Sequence, residues 1–160
     1  MGAGKSYLGK ELAKRLHFDF VDLDELVEQL AGKSVASIFE QSGEVAFRQM
    51  EAEALRSTVL QPDLVVATGG GAPCFHENME WMNQNGITIY FHASPSLLAD
   101  RLLPEKSKRP LLAEIPDGEL ALFIESRLLE RELFYNQSML QFNVPPAGFD
   151  GMEVLVHYLD

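Results

Sequence analysis

The chain reads Gly2-Ala3-Gly4-Lys5-Ser6 near its start and runs directly into Tyr7-Leu8-Gly9-Lys10-Glu11-Leu12. These types in this order can hold a nucleotide's phosphates. The glycines let successive backbone N–H groups turn inward around phosphate oxygens, the lysine reaches the β- and γ-phosphates, and the hydroxyl that follows it holds Mg²⁺. A helix opening at that point adds its N-terminal dipole to the anion site. The segment is the back half of a P-loop. The motif's first glycine and the strand that precedes it are not found upstream of residue 2. The expectation is therefore a start that falls short of the full motif, or a site built on a weakened support.

A second group of residues can act on an acceptor. Val21-Asp22-Leu23-Asp24 places two carboxylates two residues apart at the end of an apolar run. On a strand such a pair points the same way, and in parallel α/β sheets ligands bind at strand C-termini. One carboxylate near Mg²⁺ and one near an acceptor hydroxyl would divide the work; the plainer reading makes Asp24 the cap of a helix over Glu25–Leu30. Arg48 and Glu51, three apart, sit beside the apolar stripe of Phe47, Met50 and Ala54. By spacing alone they are an exposed helical ion pair worth a few tenths of a kcal/mol. At the rim of a pocket, Glu51 would instead fix the guanidinium of Arg48 for a two-point grip on a carboxylate. Thr68-Gly69-Gly70-Gly71-Ala72 follows a buried-looking strand. A sharp turn needs one or two glycines, so three point to a backbone that something approaches closely.

The elements that position these groups alternate. Strands are expected at Phe18–Val21, Leu64–Ala67, Ile87–Phe91 and Leu140–Val144. Between them run helical periodicities, Leu8/Leu12/Leu16, then Phe47/Met50/Ala54, then Leu120/Phe123/Ile124/Leu128. A further helix at Glu77–Asn83 ends toward Gly86 as its C-cap. Strands alternating with helices make an α/β protein whose parallel sheet is covered by helices on both faces. Pro104 to Gly118 is polar, proline-bearing and long for a connection, with Lys106, Lys108 and Arg109 close together, as a lid would be. Trp81 and Met82 are expected in the core.

Composition removes several classes of function. The 160 residues carry 13 Lys and Arg against 24 Asp and Glu, a formal net charge of −11. A duplex-binding module needs a basic face to displace counterions, so nucleic acid is excluded as a partner. No apolar run reaches the length of a membrane span, and no secretory signal opens the chain. The single cysteine, Cys74, and four histidines without ligand spacing leave no disulfide framework or zinc cluster. The length suits one domain, residues 1–160, in the cytoplasm.

In this order the residues resemble the shikimate kinase family. The resemblance is carried by Gly2 to Ser6, Val21-Asp22-Leu23-Asp24, Gly43-Glu44 leading to Phe47-Arg48 and Glu51-Ala52-Glu53, and Ala67 to Ala72. Arg109-Pro110-Leu111-Leu112 and Arg131, four residues before Tyr135, complete it, so that it covers essentially the whole chain. It implies a three-layer P-loop fold of the nucleoside-monophosphate-kinase type, with five parallel strands and the P-loop strand in the middle. This chain offers four, so its sheet is expected to show a gap, a substitute strand or a weakened P-loop. The implied reaction moves the γ-phosphoryl group of ATP to the 3-hydroxyl of shikimate, on the route to chorismate and the aromatic amino acids. The alternatives are a kinase for another hydroxy acid such as gluconate, or an inactive homologue that binds nucleotide or shikimate.

The resemblance also implies roles. Gly2, Ala3, Gly4, Lys5, Ser6 and Tyr7 would surround the ATP phosphates, with Lys5 neutralising the β/γ oxygens. Ser6 would hold Mg²⁺, with Asp22 close by through water. Asp24 would bind the ring hydroxyls and orient or deprotonate the attacking one. Arg48 and Arg131 would take the shikimate carboxylate, with Gly70 and Gly71 against the ring, in a shikimate-binding region over residues 22–57. Arg109 would enter from a lid at 104–118 to meet the transferring phosphate. Arg101 and the Asn143–Pro146 segment would lie near adenine. The expected form is a monomer.

Overall fold

The computed structural model describes residues 4–108, 110–144 and 152–159. Gly2, Ala3 and Arg109 lie outside them, as do Pro145 and Pro146 of the segment expected near adenine. In chain order the first elements are α1 (Lys5–Leu16), β1 (Asp19–Asp22), α2 (Leu23–Ala31), α3 (Val35–Ser57), β2 (Leu64–Ala67) and α4 (Asn78–Asn85). They are followed by β3 (Ile89–His92), α5 (Pro95–Leu102), α6 (Pro110–Ala113), α7 (Leu120–Tyr135), β4 (Leu140–Asn143) and α8 (Met152–Leu159). The expected alternation is present, and each strand lies within two residues of its expected start and end.

Among the described residues the four strands form two two-stranded parallel sheets, β1 with β2 and β3 with β4. The single five-stranded sheet of the implied fold is not formed among the described residues, and no further strand is found among them. The chain groups into two compact units, one of residues 5–86 with 150–160, the other of residues 1–4 with 87–149.

In the unit that holds β1 and β2, α1 turns Leu8, Gly9, Leu12 and Ala13 inward and packs against both strands. Gly9 is required by closeness: a Cβ there would stand 2.8 Å from the Phe20 ring. Register pairs Asp19 with Leu64 and Asp22 with Ala67, so both strands end at the same level. The segments that leave those ends, Leu23-Asp24 and Thr68 to Gly71, therefore emerge side by side. The core beneath them is Leu23, Val27, Ile38, Phe47, Ala54, Leu55 and Ala72, with Met50, Val66, Trp81 and Met82 packed against it. Trp81 and Met82 support the core from partly buried positions. α3 breaks at Gly43, whose φ of 79° and ψ of 176° are open to glycine and strained for other residues. The break re-aims the helix, so that Glu44, Arg48, Glu51 and Leu55 follow one another down one face of its second part.

In the other unit α5 packs on α7. The described residues of the stretch expected as a lid include a 3-10 turn at Leu103–Lys108, then α6, then a second 3-10 turn at Asp117–Glu119. Lys106 Nζ reaches Asp117 Oδ1 at 2.6 Å, linking the two ends of that stretch. Gly86 is the C-cap of α4, as expected, but in an extended conformation (φ −176°) that leads the chain toward β3.

Candidate active site

The start of α1 carries the residues expected to bind phosphate. Gly4 adopts φ 79°, the left-handed turn that brings the backbone into the helix, and Lys5 and Ser6 are its first residues. Ser6 Oγ donates to Asp22 Oδ2 at 2.7 Å. The other carboxylate oxygen of Asp22 accepts from the backbone N–H of Asp24 at 3.1 Å, which makes Asp22 the N-cap of α2. This corrects two sequence readings. The cap is Asp22, not Asp24, and Asp24 lies on α2, not on the strand. The two carboxylates are held together by the cap hydrogen bond, not by alternation along a strand.

Asp24 is half-buried, and its carboxyl is raised above the ordinary aspartate range. Burial is the main cause; Lys5 and Arg48 oppose it, while Asp22 and Glu28 add to it. A carboxylate raised in this way is a stronger proton acceptor than one in water, and it lies within the field of a cation on each of α1 and α3.

Arg48 is fixed on every side. Its Nη1 donates to Glu51 Oε2 at 2.8 Å, and its Nε and Nη2 both reach Glu44 Oε1, at 3.2 and 3.1 Å. Its guanidinium carbon lies 5.1 Å from the centre of the Phe47 ring and 4.5 Å from that of Phe75. Glu51 is 1% exposed. The exposed helical pair suggested by spacing alone is thus replaced by a buried one, because the Gly43 break and the Phe47 stripe turn this face inward.

Thr68 to Gly71 completes the cluster. Ala72 N–H donates to the Gly69 carbonyl at 3.1 Å, closing a turn with Gly70 and Gly71 at its centre. A Cβ on Gly69 would stand 3.2 Å from both Asp24 Oδ1 and Glu51 Oε1; one on Gly71 would stand 2.5 Å from Arg48 Nη2. The close approach that three glycines demanded is made by the protein's own Asp24, Glu51 and Arg48.

This arrangement puts the glycine-led start of a helix, a raised carboxylate, a fixed arginine and a glycine turn at the same strand ends. Residues 1–143 match the shikimate kinase family. The chain belongs to that family. It is 44% identical to a shikimate kinase of Bacteroides fragilis over 138 residues, 86% of this chain and 77% of that one. It is 42% identical to the shikimate kinase of Bacteroides thetaiotaomicron over 143 residues, 89% of this chain and 82% of that one. The crystal structure of a B. thetaiotaomicron shikimate kinase superposes with a TM-score of 0.89 at 40% identity, over 99% of this chain and 91% of that one. A shikimate kinase from Acinetobacter baumannii, solved in complex with shikimate, gives 0.85 at 31% identity, over 99% and 86%. The fold is that of the P-loop kinases, and the chain is a kinase of this family.

Of the shikimate kinase family residues expected from the sequence, the structure gathers Lys5, Ser6, Asp22, Asp24, Arg48 and the glycine turn in one compact unit. Tyr7 follows them on α1 and is 75% exposed. Arg131 is half-buried on α7 and Arg101 is exposed in the last turn of α5, both in the other unit. Two contacts of Arg48 escaped the sequence reading. Glu44 was legible in principle as an i,i+4 partner. Phe75 was not, because only the turn after the glycines brings its ring back over α3.

Proposed function

We propose that this chain transfers the γ-phosphoryl group of ATP to the 3-hydroxyl of shikimate, giving shikimate 3-phosphate and ADP. The observation that carries the reading is the placement of the Asp24 carboxylate against the glycine turn, within the fields of Lys5 and Arg48. Phosphoryl transfer asks a protein for positioning and for positive charge around the equatorial oxygens, with little covalent chemistry of its own. Lys5, at the start of α1, supplies charge to the β- and γ-phosphates. Arg48 takes the shikimate carboxylate, and its anchoring by Glu44, Glu51, Phe47 and Phe75 means that little side-chain freedom is lost on binding. Gly70 and Gly71 stand against the ring by family resemblance, with Gly71 packed directly on Arg48.

Asp24 then faces the acceptor hydroxyl. The hydroxyl oxygen forms a bond to the γ-phosphorus while the bridging P–O bond to the β-phosphate breaks; the electron pair leaves on ADP. The hydroxyl proton passes to the Asp24 carboxylate, whose raised affinity for a proton suits it to accept one.

The residues present fit Mg²⁺. Ser6 Oγ and Asp22 Oδ2 are two hard oxygens 2.7 Å apart at the phosphate end of α1. No group of three or more His, Cys, Asp or Glu side chains suited to a metal occurs among the described residues. A sparse oxygen pair of this kind suits an ion that keeps its waters and is held chiefly by substrate phosphates. When bound, Mg²⁺ neutralises the phosphate oxygens and orients the transferring group. Arg109 at the transferring phosphate, Arg131 at the carboxylate, and Arg101 and Tyr7 toward the nucleotide belong to the same proposal by family resemblance.

The test is ADP release from ATP and Mg²⁺ with shikimate or gluconate as acceptor. Release with shikimate alone is expected. Release with gluconate alone would overturn the substrate, and release with neither would make the chain a binding homologue.

A further inference from the structure

Asn78, the first residue of α4, is fully buried, one of two buried polar or charged side chains among the described residues. Both ends of its amide are used. Its Nδ2 donates to the Ala72 carbonyl at 2.8 Å, and its Oδ1 accepts from Arg56 Nη1 at 2.8 Å. Arg56 is itself tied down: Nη1 also donates to the Ala52 carbonyl at 3.0 Å, Nη2 donates to the His76 carbonyl at 2.7 Å, and the guanidinium carbon lies 5.8 Å from the centre of the Trp81 ring. A continuous chain of hydrogen bonds thus runs from α3 through Arg56 and Asn78 to the carbonyl that ends the glycine turn.

The segment bridged by this clasp is strained. His76 and Glu77, neither a glycine, both adopt left-handed backbone, with φ of 50° and 56°. Consecutive residues in that region persist only where their surroundings hold them. Here the holding groups are visible: Arg56 grips the His76 carbonyl, and Asn78 N–H donates to the Phe75 carbonyl at 2.9 Å. The bend does two things at once. It turns the Asn78 amide back to Ala72, and it carries the Phe75 ring over the guanidinium of Arg48. Gly71 and Phe75, which bound Arg48 on two sides, are therefore both borne by the segment that Asn78 and Arg56 close.

We propose that Asn78, held by Arg56, is a positioning residue for the carboxylate-binding site: it fixes the glycine turn and Phe75 against Arg48 and so sets the affinity for shikimate. The inference rests on the reading above in which Arg48 takes the shikimate carboxylate. A side chain needed only for folding would change stability without choosing between substrates. This one should act on shikimate and spare ATP, because its contacts lead to the Arg48 side of the site and not to α1.

The deciding variant is Asn78→Asp. It keeps the shape and the acceptor for Arg56 but replaces the donor to the Ala72 carbonyl with an oxygen that repels it. Loss of one buried hydrogen bond corresponds to roughly a tenfold change in an equilibrium constant. With both substrates varied separately in the full chain, KM for shikimate should rise about tenfold and KM for ATP should stay within twofold. Arg56→Lys, which keeps the charge and loses the fork, should raise KM for shikimate about threefold with the same selectivity; it decides the matter alone if the Asn78→Asp variant does not fold. KM for shikimate within twofold of wild type in the folded variants, or KM for ATP rising in step, would overturn the positioning role and leave the proposed reaction standing. A wild-type chain that does not phosphorylate shikimate would overturn both.

Discussion

Gly71 and Arg48 touch so closely that a single methyl group would not fit between them. A Cβ at Gly71 would lie 2.5 Å from Nη2, 2.7 Å from Nη1 and 2.8 Å from Cζ of the guanidinium. Gly71 has φ −88° and ψ −25°, open to any residue, so the requirement for glycine here is steric and not conformational. Arg48 cannot simply swing away, because Glu51, Glu44 and two aromatic rings hold it. Gly71→Ala should therefore displace the guanidinium and raise KM for shikimate at least tenfold. KM for ATP should change little, and the loss of stability should be on the order of 1 kcal/mol, as for modest overpacking. Steady-state kinetics with each substrate varied, alongside a melting curve, read both quantities. An unchanged KM for shikimate would mean that Arg48 does not hold the carboxylate.

Glu51 and Glu44 bind the same arginine with very different expected weight. Glu51 is buried and Glu44 is 56% exposed. Glu51→Gln removes the buried counter-charge, and breaking a buried pair is destabilising by roughly 3 kcal/mol. Glu44→Gln should change stability by less than about 1 kcal/mol, the range of exposed pairs. Urea denaturation of the two variants compares them directly. Equal losses would show that the burial of Glu51 does not govern the strength of its pairing.

Asp24 sets a pH dependence with a definite sign. Its carboxyl is raised in the folded chain, chiefly by burial, so between the ordinary aspartate pKa and the raised one the folded chain binds more protons than the unfolded chain. Stability therefore falls as pH rises through that window, and below it the contribution is fully present. The proposed base role runs the other way: it requires the ionised form, so the acid limb of kcat/KM should lie above the ordinary carboxylate range. Asp24→Asn should lower kcat by about 10²–10⁴-fold, the usual worth of a general base. It should also abolish that limb and raise the melting temperature at neutral pH. A variant that kept the acid limb would assign it to another group.

Lys5 and Arg131 are separable by kinetics. Lys5, at the start of α1, is proposed to meet the charge of the transferring group, so Lys5→Ala should abolish turnover. Arg131, half-buried on α7, is proposed to act on the carboxylate. Arg131→Ala should mainly raise KM for shikimate while kcat changes less. Unchanged shikimate kinetics in Arg131→Ala would remove it from the carboxylate site.

Elements with a clear apolar run or stripe were legible in the sequence. Leu64–Ala67 has the bounds its apolar run implies, and the Leu8/Leu12 stripe marks the buried face of α1. That Lys5, Ser6, Asp22, Asp24 and the glycine turn fall in one unit was likewise legible, since each is a short local pattern at the end of a strand or the start of a helix. What escaped was long-range or depended on an exception to periodicity. Arg48 and Glu51 looked like surface residues because spacing along one helix does not show what lies across from it; the Phe75 ring and the glycine turn cover that face. Asn78 gave no sign, because a buried amide announces itself only through its partners, Arg56 and the Ala72 carbonyl. The plainer reading of Asp24 as a cap misses Asp22 because helix boundaries move by one or two residues where an aspartate ends the strand.

Asp22 performs two tasks with its two oxygens, and one substitution should separate them. Oδ1 caps α2 through Asp24 N–H, and Oδ2 accepts from Ser6 at the proposed Mg²⁺ position. Asparagine caps helices about as well as aspartate, so Asp22→Asn should keep the cap and change stability by about 0.5 kcal/mol or less. It would remove the negative charge at the proposed Mg²⁺ position, so the Mg²⁺ concentration for half-maximal activity should rise about tenfold, a change of the size that an outer partner of a metal contributes. Chelation with EDTA should stop turnover in both proteins, and added Mg²⁺ should restore it, with the variant needing more. If Asp22→Asn lost stability but kept the wild-type Mg²⁺ requirement, the carboxylate would be a helix cap alone, and Ser6 with the substrate phosphates would hold the ion.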